Sequence, residues 1–225
     1  RRRHRPRTAR PSRADGTPAM YVPAHFRETR PEVLHEFMRR HPLATLVART
    51  ATGVDANHIP MELAFVDGLP RLRGHVARAN PLWREALPAE PVLAIFTGAD
   101  GYVTPSWYPS KREHGKVVPT WNYAAVHARG PIRFVDDAAW LRALVGSLTD
   151  EHERSRAAPW QVEDAPADYI GAMLRAIVGF EIEVRELVGK FKASQNREER
   201  DRAGVAAGLS AQGVSAEEAD ELVRR

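Results

Sequence analysis

Between residues 43 and 76 the chain alternates β-prone runs with two-residue turns, and this alternation constrains the fold more than any other feature. Residues 43–49 are apolar and β-prone, Thr52-Gly53 supplies turn chemistry, and residues 57–66 form a second run. Asp67-Gly68 then closes that run as a hairpin into residues 71–76. Connections this short join only antiparallel strands, because a parallel pair needs a crossover of roughly a dozen residues or more. The expectation is an antiparallel meander within a β-rich α+β domain.

Helices punctuate the strands. Pro31 suits a first helical turn, and Val33, Leu34, Phe37 and Met38 fall on one face of a helix over 31–40. Asn80 can cap a short helix with Pro81 at its first position and Leu82, Trp83 and Leu87 on its buried side. Residues 91–97 read as a continuous apolar strand, 121–135 as strand, 137–151 and 166–178 as helices, and 180–187 as a late strand. Two short helices are expected at 197–208 and 215–225, the second opened by a capping box at Ser215-Ala-Glu-Glu218. No internal repeat is present.

With 225 residues, 43% of them apolar, the chain can bury one substantial core. The absence of cysteine excludes disulfides and thiolate metal sites, and a reducing cytoplasm is the simplest compartment. No run reaches the roughly 20 apolar residues of a spanning helix, and the first residues lack the apolar core of a signal peptide. A soluble protein with no membrane partner is expected. The pI near 9.7 suggests nucleic acid until the charge is located. Residues 1–19 hold seven arginines against Asp15, leaving 26 basic and 28 acidic residues from Met20 onward. Basicity is therefore a property of the tail, which is expected to be a disordered extension ahead of Met20.

Four segments are chemically dense: Asn57-His58-Ile59-Pro60, residues 74–83 (GHVARANPLW), residues 101–111 (GYVTPSWYPSK) and residues 118–123 (VPTWNY). A flavin mononucleotide needs cations and hydroxyls for its phosphate, donors and acceptors for its ring edge, and flat apolar walls. Arg78 and the start of the helix at Asn80 suit a phosphate, against the ordinary alternative of a surface arginine. Lysine occurs only at 111, 116, 190 and 192, always in or beside these segments. His58 and His75 fall on neighbouring strands of one predicted hairpin and could face one pocket. No ligand spacing supports a metal there. Trp107 and Trp121 could stack on a ring or fill an interface, whereas Trp83 reads as core. The mixture of aromatics and prolines over 101–122 is expected where a partner or ligand holds the chain.

Read in order, these motifs resemble the PaiB family of FMN-binding proteins. The resemblance rests on Met20-Tyr-Val-Pro23 with Phe26, His58-x-Pro60, Gly74-His75 with Asn80-Pro81, Gly101-Tyr102 through Tyr108-Pro109-x-Lys111, Val118 to Tyr123, and Lys192-x-Ser-Gln-Asn-Arg197 with Asp201-Arg202. It extends from Met20 to about Leu209. It implies an FMN-binding split β-barrel with peripheral helices, related to pyridoxamine phosphate oxidase-like flavoproteins and dimeric, with the flavin between subunits. FMN is the implied cofactor, ahead of a deazaflavin or haem. By position, Asn57, His58, Ile59 and Pro60 would line the ring, and His75, Arg78, Ala79 and Asn80 would serve the ribityl phosphate. Tyr102, Ser106, Lys111, Thr120, Trp121 and Asn122 would complete the cleft, some from the second subunit. The implied divisions are the extension 1–19, the barrel 20–188, and a C-terminal loop with helices, 189–225.

Two function classes fit. One is a negative transcriptional regulator, the role the family resemblance implies. The chain shows no helix-turn-helix or basic recognition helix, so DNA is a partner without support from the near-neutral body. The other is a flavin-dependent oxidoreductase acting on a small molecule or haem, supported through the shared fold. Residues 101–123 would be unusually apolar on a monomer, which points to a homodimer.

Overall fold

The computed structural model describes residues 20–88 and 90–223; the expected N-terminal extension, residues 1–19, lies outside them. Two antiparallel sheets form a split barrel. The six-stranded sheet has the order β1 (Arg27–Glu28), β10 (Glu186–Lys192), β7 (Thr120–Gly130), β6 (Val92–Val103), β2 (Leu43–Thr50), β3 (Gly53–Pro60). The four-stranded sheet has the order β4 (Glu62–Val66), β5 (Leu69–Ala77), β9 (Ile177–Glu183), β8 (Ile132–Val135). The meander is present, and Asp67 and Gly68 both take positive φ (52° and 76°), the turn whose twist matches its flanking strands.

Three sequence-predicted runs prove to be two strands each or to end early. Residues 57–66 divide at Met61, which is buried and donates its N–H to the Pro42 carbonyl at 2.9 Å. Pro60, which has no N–H to give a ladder, ends β3 there, and the chain crosses to the other sheet. His58 and His75 therefore lie on different sheets and not on one hairpin. Residues 121–135 divide at Pro131, where Gly130 is obligatory because a Cβ would lie 1.7 Å from the Glu183 carbonyl oxygen. The helix expected over 166–178 is α5 (Ala167–Arg175); Ile177 and Val178 belong to β9, where Val178, Phe180 and Ile182 alternate into the core. Cross-strand burial outweighs helix propensity there. The last strand, β10, runs through Lys192, past the 188/189 boundary read from the sequence.

The core lies between the sheets. Ala44, Leu46 and Ala48 of β2, Val92, Ala94 and Phe96 of β6, Ala124, Val126 and Ala128 of β7, and Phe180 and Ile182 of β9 meet there. One end is closed by α1 (Pro31–Arg40), where Leu34, Phe37 and Met38 are buried as its spacing predicts. Small residues on the central strands leave room for the large ones opposite. Gly74 lets β5 pass close to β3, since a Cβ there would lie 2.6 Å from the Phe180 ring and 3.0 Å from the Pro60 oxygen. That approach sets His75 beside the end of β3.

The remaining helices are α2 (Leu82–Glu85), α3 (Lys111–His114), α4 (Ala138–Glu153), α6 (Glu199–Ala211) and α7 (Ala216–Val223). Ser215 and Glu218 form the expected capping box, with Glu218 N–H on Ser215 Oγ at 3.2 Å and Ser215 N–H on Glu218 Oε2 at 3.1 Å. A second core gathers Val103 and Tyr108 against Val205, Leu209, Ala219 and Leu222. The aromatic, proline-rich segment is thus held largely by the chain's own C-terminal helices. Asp201 accepts from both the N–H and the Oγ–H of buried Ser110, at 3.1 and 2.7 Å.

Candidate functional site

Alternation divides the six-stranded sheet into two faces. The inner face is the core, and the outer face carries Leu43, Thr45 and Val47 of β2, Leu93 and Ile95 of β6, and Ala125 and His127 of β7. Edge strand β3 adds Val54 and His58 to this face, and β10 adds Val188, Lys190 and Lys192. Leu43 is 60% exposed and Val54 71%, so the face is apolar and open at the β2–β3 side. At the β10 side the leading segment crosses it, with Val22 and Phe26 packed on Val188.

One end of this face is aromatic and cationic. A bulge between Thr97 and Asp100 resets the register of β6, so that Asp100 pairs with Tyr123 and Tyr102 with Trp121. Trp121, half exposed, donates its indole N–H to Asp100 Oδ1 at 2.9 Å and meets Tyr102 edge to face at 5.9 Å. Lys192 donates to the Trp121 carbonyl at 2.7 Å and to Thr120 Oγ1. Its ammonium is depressed below the ordinary lysine range by desolvation and then by neighbouring Lys190. Lys190 lies 5.3 Å from the Tyr123 ring and 5.8 Å from that of Tyr21. Lys111, exposed, comes within 3.5 Å of Ser106 Oγ. Asn122 alternates inward: it is buried and donates to Ser194 Oγ and the Leu222 carbonyl, both at 2.9 Å, tying α7 to the strand.

The other expected residues gather at the β3 edge. His58 is exposed on the outer face, its Nδ1 3.0 Å from Thr45 Oγ1. Ile59 is buried in the core and Pro60 is exposed at the strand end. Asn80, one residue before the N-cap Pro81 of α2, accepts the Leu82 N–H at 2.9 Å and donates to Asn57 Oδ1 at 2.7 Å, and Asn57 donates to Asp55 at 3.0 Å. Ala79 is exposed in the same turn. Arg78 is committed elsewhere: its guanidinium holds Asp136 with two bonds of 2.6 and 2.8 Å and donates to the Arg175 and Ile177 carbonyls. It staples the turn after β5 to the α5–β9 junction, and a phosphate would have to displace that carboxylate. His75 is mostly enclosed; burial lowers its pKa, and its Nδ1 is buried without a hydrogen-bond partner.

The sequence reading places the β3-edge residues and the Trp121 residues in one cleft. In a single chain they form two clusters, one on β6, β7 and β10 and one where edge strand β3 meets β5 of the other sheet, with β2 lying between β6 and β3. His127 was absent from that reading and Tyr123 entered it only as the end of the 118–123 segment, although both follow Trp121 at strand period. His127 lies mid-face, half buried, with its pKa lowered first by burial and then by Arg129, and its Nδ1 without a partner. Lys190 and Lys192 were legible as rare lysines, but their side of the sheet depends on pairing with β7.

These residues can meet the demands of a flavin phosphate and ring: two lysines on one strand, hydroxyls at Thr120 and Ser106, and exposed indole and phenol rings. The family model described as "Putative FMN-binding domain" matches residues 20–186. The chain is 33% identical to the protease synthase and sporulation protein PAI 2 of Bacillus subtilis over 186 residues, 83% of this chain and 87% of that protein. It is 34% identical to an uncharacterised protein of Emericella nidulans over 235 residues, 88% of this chain and 93% of the other. Among solved structures, the flavocytochrome Anf3 of Azotobacter vinelandii superposes with a TM-score of 0.55 at 15% identity, covering 79% of this chain and 75% of that one, a likeness of fold. Matched along most of its length in sequence and built on two antiparallel sheets, the chain belongs to the PaiB family of FMN-binding split-barrel proteins.

Proposed function

We propose that the chain binds FMN on the outer face of the six-stranded sheet, between two copies of itself, as a PaiB-type regulator whose effect on transcription is indirect. The observation that carries this reading is the coincidence, on one open face, of an apolar stretch with a cationic and aromatic end. Lys190 and Lys192, with Lys111, would take the phosphate as point charges. Trp121 and Tyr102 would wall the ring, and the exposed His58 and Pro60 of the β3 edge would meet it from the second copy. A second copy would also cover Leu43, Val54 and Ile95, which a monomer leaves to water. The regulatory role follows the family; the balance of 26 basic to 28 acidic residues beyond the tail leaves the rest of the chain without a net positive charge to attract DNA.

A flavin-dependent oxidoreductase is the second reading, favoured by a cleft beside Pro60 and His75. Bound flavin supplies hydride or single-electron transfer. His75, kept neutral by burial, presents an unprotonated imidazole as a proton acceptor, and His58 is oriented by Thr45.

Titration of the full chain with FMN, followed by flavin fluorescence, tests the proposal. Saturable uptake is expected, weakened at least tenfold in Lys190→Glu/Lys192→Glu; protein that takes up no FMN overturns it. Rapid anaerobic bleaching by a reduced nicotinamide cofactor would select the oxidoreductase. Salt-sensitive DNA binding that survives removal of residues 1–19 would select direct regulation.

A further inference from the structure

A cleft of about 350 Å³ opens where the end of β3 meets β5, and its far wall is the C-terminal half of α4 with the segment that follows. Pro60, His75, Leu148, His152, Glu153 and Trp160 are among its lining residues. Trp160 is 44% exposed, an unusual place for an indole that no partner covers. The backbone that carries it is nevertheless fixed. The Trp160 N–H donates to Glu153 Oε2 at 3.2 Å, the Gln161 N–H donates to Asp164 Oδ2 at 2.9 Å, and Val162 is buried immediately after. The opposite wall is fixed too, because Gly74 seats β5 against the Pro60 carbonyl.

The cleft therefore presents a held aromatic face, aliphatic walls from Pro60 and Leu148, and two imidazoles. Its volume is at the lower end for ligand sites, which suits one compact ring system. Glu153 is paired with Arg156 at 3.4 Å and His75 is neutral, so the cleft offers no unbalanced charge to attract an ion. We propose that the cleft binds a small, neutral, planar bicyclic heteroaromatic molecule, stacked on Trp160 and hydrogen-bonded by an imidazole. This names a substrate class for the oxidoreductase reading and rests on it, since Pro60 and His75 would set such a molecule beside the flavin.

Quinoline is the probe, titrated calorimetrically into the full chain at pH 7.5 with and without FMN. Saturable one-to-one binding is expected, reduced at least tenfold in Trp160→Ala and largely kept in Trp160→Phe. Thr149→Trp, which fills the cleft from α4 and removes no core side chain, should abolish binding and serves if Trp160→Ala does not fold. Absence of saturable binding, or equal affinity in Thr149→Trp, overturns the proposal. Release of bound FMN by quinoline also overturns it, because the flavin ring would then occupy the cleft. Quinoline binding to a chain that takes up no FMN supports the cleft and overturns the flavin reading alone.

Discussion

His75 and His127 illustrate how a β-strand decides what a side chain can do. His75 reads as a candidate pocket residue in sequence and His127 carries no signal there, yet each is at least half enclosed on its strand, and burial is the main force lowering its pKa. The unfolded chain binds protons at these imidazoles near pH 6.5, while the folded chain resists them to lower pH. Stability from both groups is therefore full above about pH 6.5 and is lost as pH falls toward their folded values. Each contributes less than the limit of about 1.4 kcal/mol per pH unit, because neither is wholly buried. Denaturation midpoints should fall between pH 7 and 5, and less steeply in His75→Gln/His127→Gln. An equal slope in that variant would refute this origin. At the same scale, the identity of Asn57, His58, Lys111 and Trp121 as chemically dense positions was legible, but their partners were not. Arg78 is the instructive case: the residue type suits phosphate, and only the long-range approach of Asp136 shows the charge already engaged.

Elements were legible where a local signal existed. The helix over 31–40, the Asp67-Gly68 turn and the Ser215 capping box all follow from neighbours in sequence. The divisions at Met61 and Pro131 were missed because crossing from sheet to sheet leaves no periodic break, only a proline or a glycine whose need arises from a distant carbonyl. Helix α6 shows the same limit: Gly204 and Gly208 look like poor helix residues, yet Cβ atoms there would lie 2.0 Å from the Trp107 carbonyl oxygen and 2.2 Å from its ring. Gly204→Ala would gain about 1 kcal/mol of helix propensity in an isolated helix. Here the backbone oxygen cannot swing aside, and overpacking of about 1–3 kcal/mol should outweigh it. Urea denaturation should show a lower midpoint for the variant, and a raised midpoint would mean that α6 is not pressed on Trp107.

At the scale of the whole molecule, the sheets, the barrel and the cofactor class were readable from ordered motifs, whereas the continuity of the outer face was not. Within the expected interface, residues 101–123, Val103 and Tyr108 pack under α6 and α7, while Tyr102, Val118 and Trp121 are left exposed. The broader apolar face, from Leu43 through Ile95 to Trp121, emerges only once strands distant in sequence are set in order. If two copies meet there, Ile95→Asp should shift the mass by light scattering from dimer to monomer and weaken FMN uptake with it. An unchanged mass would place the interface elsewhere.

The bond from Asn122 to the Leu222 carbonyl joins residues 100 positions apart, and Ser110 similarly waits for Asp201. A growing chain can form the meander and much of the barrel while these partners are still unsynthesised. The strand start bearing Trp121 and the loop bearing Lys111 would then be the final parts to settle, so competence to bind a ligand would arrive later than the appearance of a folded β-sheet core.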